Sequence, residues 1–326
     1  MSSNTINEQE LTNIFSKEKI LGCTITKDGN RIFEYYKNKK IEDKQHKVYS
    51  CTKSVLSLLI GIAFDKGYLH DLHEPIDKYF PKQLQAQNDP RKSKITLYHL
   101  LTMTPGLHFP EWEEWGAKAP MVQGGDVVKF VLDRELIFNP GEKMNYNSGC
   151  SHLITSILQQ VTGETALQFA EKHLFQPLNI SKVEWYKDNK GIYKGADGIR
   201  FKIADMEKIS LLMLQKGKWK GKQIVSEEWI TQAISPHFST YKHIGEYGLH
   251  WWTSRIDPEL EDDSDSNRFH FALGHGGQYM IIVPKFNLYV TFVSELYDTS
   301  LLPLRIFRSQ IFSSFTLNDE KGKIHR

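Results

Sequence analysis

The chain has 326 residues, 40% of them hydrophobic and 25% charged, which is ordinary globular composition with enough length to bury a large core. Its 41 lysines and arginines nearly cancel 39 acidic residues, and a formal charge of +2 excludes the basic surface of a nucleic-acid-binding protein. The three cysteines, Cys23, Cys51 and Cys150, have no metal-ligand spacing, no apolar run is long enough to span a bilayer, and the first residues show no leader pattern, so the expectation is a reduced, cytoplasmic protein.

A helical lead-in over residues 1–19 precedes ILGCTITKDGNRIFEYY (20–36), which alternates and breaks at Asp28-Gly29-Asn30 as a hairpin does. Residues 52–67 switch to helical periodicity. Val55, Leu56, Leu59, Ile60 and Ala63 form a broad apolar face, Leu58 and Ile62 extend it nearly all round, and Gly67 is placed to end it. A helix so apolar is predicted to be central. KNKK (37–40) and KGKWKGK (216–222) read as solvated loops. From about 70 to 145, turn residues separate short helical runs. Further helices are predicted over 151–161, 204–217 and 226–234, the last opened by Ser226 in a capping box. Strands return from about 247 in YGLHWWTS, RFHFALGHGG, QYMIIVP and LYVTFVS, with EDDSDS (261–266) as a loop and a Pro-Lys turn joining the last two strands. SLLPLRIFRSQIFSSFT closes the chain as a helix despite Pro303. Strands at both ends around a helical middle predict an α/β fold of the α+β type. One antiparallel sheet is built from both chain ends and flanked by helices, in a single domain over 20–326 with a helical subregion at about 70–235.

Ser-x-x-Lys occurs at Ser16/Lys19, Ser50/Lys53 and Ser239/Lys242. Only Ser50/Lys53 opens a strongly apolar helix, where one turn puts both side chains on the same face. A desolvated lysine there loses part of its preference for the charged form and can take the serine proton. The bland alternative is an N-capping serine with a lysine snorkelling from the first turn. Downstream, Tyr146 lies in MNYNSG, and Gly274-His275-Gly276-Gly277-Gln278 lies between two strands, where glycines permit close backbone approach to a bound group.

These elements, with their order and setting, resemble the serine β-lactamase and penicillin-binding-protein superfamily, especially its class C β-lactamase, esterase and 6-aminohexanoate-dimer-hydrolase branch. SCTKSVLSLLIGIAFDKGYL resembles the nucleophile helix, ITLYHLLTMTPGL a characteristic following segment, PGEKMNYNSG the middle element and LGHGGQYMIIVP the third. GADGIRFKIADMEKISLLML and YGLHWW are similar to later stretches. The resemblance runs from about 20 to 314 and implies a β-lactamase/transpeptidase-like fold. It places the nucleophile on Ser50, its base on Lys53 and an assisting proton carrier on Tyr146. The oxyanion donors would be the N–H groups of Ser50 and Gln278, and His275, Gly276 and Gly277 would line the substrate. Two departures bear on the substrate. Ser148 stands where the family's middle element has asparagine, and His275 stands where β-lactamases usually carry lysine. Histidine is neutral over much of the physiological range and is a weaker anchor for a carboxylate.

Trp112, Trp115 and Trp251 are further candidates for the wall of the substrate cleft, and Cys51 is read as a packing position. No cofactor is called for, and His70 and His73 have no accompanying metal motif. The expected function is a serine hydrolase for a small ester, amide or short peptide, working through an acyl-enzyme. A D-alanyl-D-alanine carboxypeptidase or penicillin-binding protein and a β-lactamase are alternatives in the same class. A non-catalytic peptide- or protein-binding module on the same fold is an alternative in another class. The sequence leaves the oligomeric state open.

Overall fold

The computed structural model describes residues 6–112, 121, 125–241, 243–256 and 267–315. Trp115, Lys242 and the EDDSDS loop lie outside them. The main sheet has eight strands among the described residues. In chain order they are β1 (Ile20–Lys27), β2 (Asn30–Tyr36), β3 (Phe238–Ser239), β4 (Glu246–Tyr247), β5 (Trp252–Arg255), β6 (Arg268–Gly274), β7 (Gln278–Val283) and β8 (Leu288–Ser294). Their spatial order is β2-β1-β8-β7-β6-β5-β4-β3, every neighbouring pair antiparallel. The first hairpin of the chain therefore pairs with the last, as expected for a sheet closed from both ends.

The longer helices are α1 (Glu8–Lys17), α2 (Cys51–Asp65), α3 (Ser148–Thr162), α4 (Ile203–Leu214) and α5 (Glu227–Ile234), with α6 (Leu302–Ile306) near the end. They cover both faces of the sheet. Phe15 of α1 packs edge-on against Phe292 of β8, while the neighbouring Val293 shares the opposite face with Gly22 and Ile203 of α4. Adjacent strand residues point to opposite faces, so α1 and α4 sandwich this part of the sheet. Among the described residues no helix is long and apolar enough to cross a membrane.

Helix α2 is buried on every side from Cys51 to Ala63, in line with its near-continuous apolar surface. It packs against β6, β7, α3 and α5. Four local expectations need correction. Helix α3 begins at Ser148, three residues before the predicted start, because the Asn147 side chain accepts the Gly149 N–H and caps it there. Ser226 accepts the N–H of Trp229, but with tryptophan at that position no carboxylate can return the bond, so the cap is half a capping box. Residues 248–251 of YGLHWW leave the sheet, and His250 has φ 61°. The KGKWKGK run is itself a small exposed hairpin, Lys218–Trp219 pairing with Lys222–Gln223. The closing helix forms, with Pro303 in its first turn, where a missing N–H costs no helix bond.

Candidate functional site

Ser50 occupies the N-cap position of α2, yet its side chain caps nothing. Its hydroxyl lies 3.0 Å from Lys53 Nζ instead. The lysine does not snorkel: it is 1% exposed, whereas Ser50 is half-buried and reachable. The structure thus departs from the bland reading at both residues. Strand Ile199–Phe201 fixes the chain on both sides of the serine, with Val48 N–H donating to Ile199 O (3.1 Å) and Ile199 N–H to Thr52 Oγ1 (3.2 Å). Tyr49, just before the serine, has φ 45°, so the chain turns sharply into the helix.

Lys53 Nζ has two more acceptors, the Ala196 carbonyl at 3.0 Å and Ser148 Oγ at 3.3 Å. Gly195 allows the first: a Cβ there would collide with Thr155 Oγ1 and the Ser151 carbonyl on α3, and without one the 195–197 segment lies against both helices. Ser148 is held from its other side by the Glu111 carboxylate, which accepts its hydroxyl (2.5 Å) and its backbone N–H (2.8 Å). Tyr146 meets the lysine through its ring, whose centroid lies 4.8 Å from Nζ. That ring also lies nearly parallel to Trp112 (5.6 Å, 15°) and to Trp252 (5.8 Å, 23°).

The opposite wall is the end of β6 and the turn beyond it. The β5–β6 ladder stops at Trp252↔Phe271, so among the described residues the last part of β6 has no strand partner on that edge. Gly274 lies against the Val48 carbonyl, and Cys51 Sγ is 3.5 Å from the Gln278 carbonyl, so the residues flanking Ser50 touch both ends of the turn. Gly276 and Gly277 have φ 77° and 83°, and Ser300 Oγ accepts the Gly276 N–H. His275 is exposed beside two tyrosine rings, Tyr49 at 5.6 Å and Tyr297 at 5.3 Å. The Gln278 side chain turns away to bond Ser294, leaving its backbone as the part nearest Cys51.

Burial pulls the Lys53 amine below the ordinary lysine range, while the charges of Glu111 and Asp197 act the other way. Burial pushes the Cys51 and Cys150 thiols up, which makes both poor nucleophiles. His250 is pulled down to about 3 by burial and stays neutral. Its Nδ1 faces the Leu101 carbonyl (2.8 Å), so its Nε2 accepts from Ser151 Oγ (3.0 Å), and its carbonyl accepts from Ser54 Oγ (2.7 Å). His250 thus ties α2 to α3, its carbonyl holding Ser54, next to the lysine, and its ring holding Ser151.

Ser50, Lys53, Tyr146 and Ser148 are brought together, with the His275–Gln278 turn opposite. Trp112 is 72% exposed and stacks on Tyr146 at the mouth. Trp251 must be corrected: it is fully buried, and Trp252 is the tryptophan that reaches Tyr146. Glu111, Ala196 and His250 escaped sequence reasoning. The available signal for Glu111 is a carboxylate in the aromatic stretch HFPEW, directly beside the cleft candidate Trp112. A backbone carbonyl such as that of Ala196 leaves no trace in residue type beyond the neighbouring glycine.

The family profile described as Beta-lactamase matches residues 19–301. An uncharacterized protein of Alkalihalophilus pseudofirmus is 26% identical over 272 residues, covering 76% of this chain and 72% of that protein. Among solved structures, a candidate 6-aminohexanoate-dimer hydrolase from Bacillus anthracis superposes with a TM-score of 0.78 at 19% identity, covering 95% of this chain and 82% of the other. EstCE1, a hydrolase with promiscuous acyltransferase activity, gives 0.74 at 15% identity over 94% and 96% of the two chains. At these identities the likeness is one of fold.

Proposed function

The chain belongs to the beta-lactamase family, and from that premise we propose that it is a serine hydrolase cleaving small esters or linear amides through an acyl-enzyme on Ser50. The observation that carries the reading is the buried Lys53 amine, 3.0 Å from a reachable serine hydroxyl. Burial makes the amine easier to deprotonate, which is what a base for serine at neutral pH needs.

Ser50 attacks the carbonyl while Lys53, assisted by Tyr146, takes the hydroxyl proton. The oxyanion that develops is met by the N–H groups of Ser50 and Gln278, each worth about 3–4 kcal/mol in sites of this kind. The tetrahedral intermediate collapses as the leaving group receives the proton, and water then releases the acid from Ser50. The fold neighbours named as a dimer hydrolase and as a hydrolase with acyltransferase activity support an acyl group as the moiety transferred.

Esters and linear amides are favoured over β-lactams by two features. His275 lies beside two tyrosine rings, and an imidazole is not the permanent cation that a lysine at this position supplies. Ser148 gives its hydrogen to Glu111, and so lacks the free amide N–H of an asparagine. Trp112, with its Nε1 3.4 Å from the Tyr241 hydroxyl, offers an apolar platform for the substrate. The test compares kcat/KM for a short-chain p-nitrophenyl ester, a linear aminohexanoate dimer and nitrocefin, with S50A as control. Turnover of the ester or the dimer, abolished in S50A, is expected. Nitrocefin turnover near 10⁶ M⁻¹s⁻¹, in the range of good enzymes, would instead make β-lactams the substrate.

A further inference from the structure

A neutral lysine amine has two N–H bonds and one lone pair, so the direction of each hydrogen bond around Lys53 decides whether it can act as a base. The Ala196 carbonyl can only accept. Ser148 could in principle donate or accept, but its hydrogen is held by Glu111 Oε1 at 2.5 Å while its N–H is held by Oε2 at 2.8 Å. Its oxygen is thereby left as an acceptor for Lys53 at 3.3 Å. Both N–H bonds of the amine are then committed, and the remaining direction is Ser50 Oγ, 3.0 Å away.

Resting on the Ser50 hydrolase reading, we propose that Glu111 is a positioning residue that, through Ser148, aims the Lys53 lone pair at the Ser50 hydroxyl. As the Ser50 oxygen bonds to the substrate carbonyl carbon, its O–H bond breaks and an N–H bond forms on Lys53. The ammonium so made already has acceptors in Ser148 and Ala196, and passes the proton to the leaving group. A glutamine at 111 keeps the shape but carries an NH₂ that donates to Ser148. The serine hydrogen is then free to occupy the lysine lone pair.

Charge gives the substitution a second effect. The groups facing Lys53 are Glu111, Asp197, Cys51, Cys150, the Tyr146 ring and His250. Among them the carboxylates of Glu111 and Asp197 favour the ammonium, and E111Q removes the first, so the amine loses its proton at lower pH. A residue that merely propped up the loop would lower the rate without moving its pH dependence.

The experiment measures acylation by p-nitrophenyl acetate across pH for the parent, E111Q and S148A, with Lys53 titrated by NMR of ¹³C-labelled lysine. For E111Q the plateau rate is expected to fall roughly ten- to a hundredfold, part of what a general base supplies. Its acid limb and the Lys53 resonance should both move to lower pH. S148A, which keeps the carboxylate and is the fallback if E111Q does not fold, should lower the plateau without lowering the limb. A parental plateau in either variant, or a Lys53 titration in E111Q at the parent's pH, overturns the proposal. Labelling the parent with a fluorophosphonate separates the two levels. Coincident profiles with Ser50 labelled remove the role of Glu111 alone, and an unlabelled Ser50 removes the hydrolase reading and this proposal with it.

Discussion

Burial takes the Lys53 amine out of water, and folding therefore releases part of a proton that the unfolded chain holds. The folded-state pKa is lowered from 10.5, so between that lowered value and 10.5 the unfolded state binds more protons than the native one. Stability then rises with pH across this window. Replacing Lys53 with methionine removes the titrating group at similar volume, and is expected to flatten that rise. The gain in denaturation midpoint over the parent should be largest at the acid end. Parallel curves for parent and K53M from urea melts at several pH values would contradict a desolvated amine. K53R keeps its charge at all these pH values and should acylate at least about a hundredfold more slowly than the parent, the lower end of what a general base contributes. At the mouth, W112A removes the platform over Tyr146 and should raise KM for aromatic esters more than for acetate esters, with kcat little changed. Equal effects on the two esters would show that Trp112 does not touch the substrate.

Between elements, the site depends on how closely the 195–197 segment approaches α2 and α3. Alanine at 195 would drive a methyl group into Thr155 and the Ser151 carbonyl, and the segment must shift. Overpacking of this kind costs about 1–3 kcal/mol. The shift also carries the Ala196 carbonyl away from Lys53, so G195A is expected to lose about tenfold or more in acylation rate in steady-state assays even below its melting temperature. A G195A enzyme with parental rate would mean that the carbonyl is not needed to orient the amine. The elements themselves were legible wherever local pattern and tertiary role agree. The apolar surface of α2 announced its central burial, and Asp28-Gly29 announced the first hairpin. The start of α3 departs from the apolar pattern because that pattern begins a turn after the cap, where the Asn147 side chain accepts the Gly149 N–H. Strand Ile199–Phe201, which pins both sides of Ser50, has three residues and no alternation long enough to stand out.

Across the molecule, the sheet could be anticipated because the long alternating strands lie at both chain ends, while the middle carries only strands of two or three residues. Its closure by β1 against β8 is a long-range pairing that no short segment encodes. The Ser50/Lys53 pair, our proposed nucleophile and base, is singled out among three Ser-x-x-Lys occurrences only by the family resemblance and the apolar helix it opens. Glu111 was not legible, because its proposed role depends on a contact with Ser148, 37 residues away. The most direct test of the mechanism is to mix the enzyme with p-nitrophenyl acetate, quench in acid within the first turnover and map the acetyl group by peptide mass spectrometry. Acetyl on Ser50 in the parent, absent in S50A, with p-nitrophenol released in a burst equal to the enzyme concentration, is the expected result. An acetyl group on any other residue, or full turnover by S50A, would contradict an acyl-enzyme on Ser50.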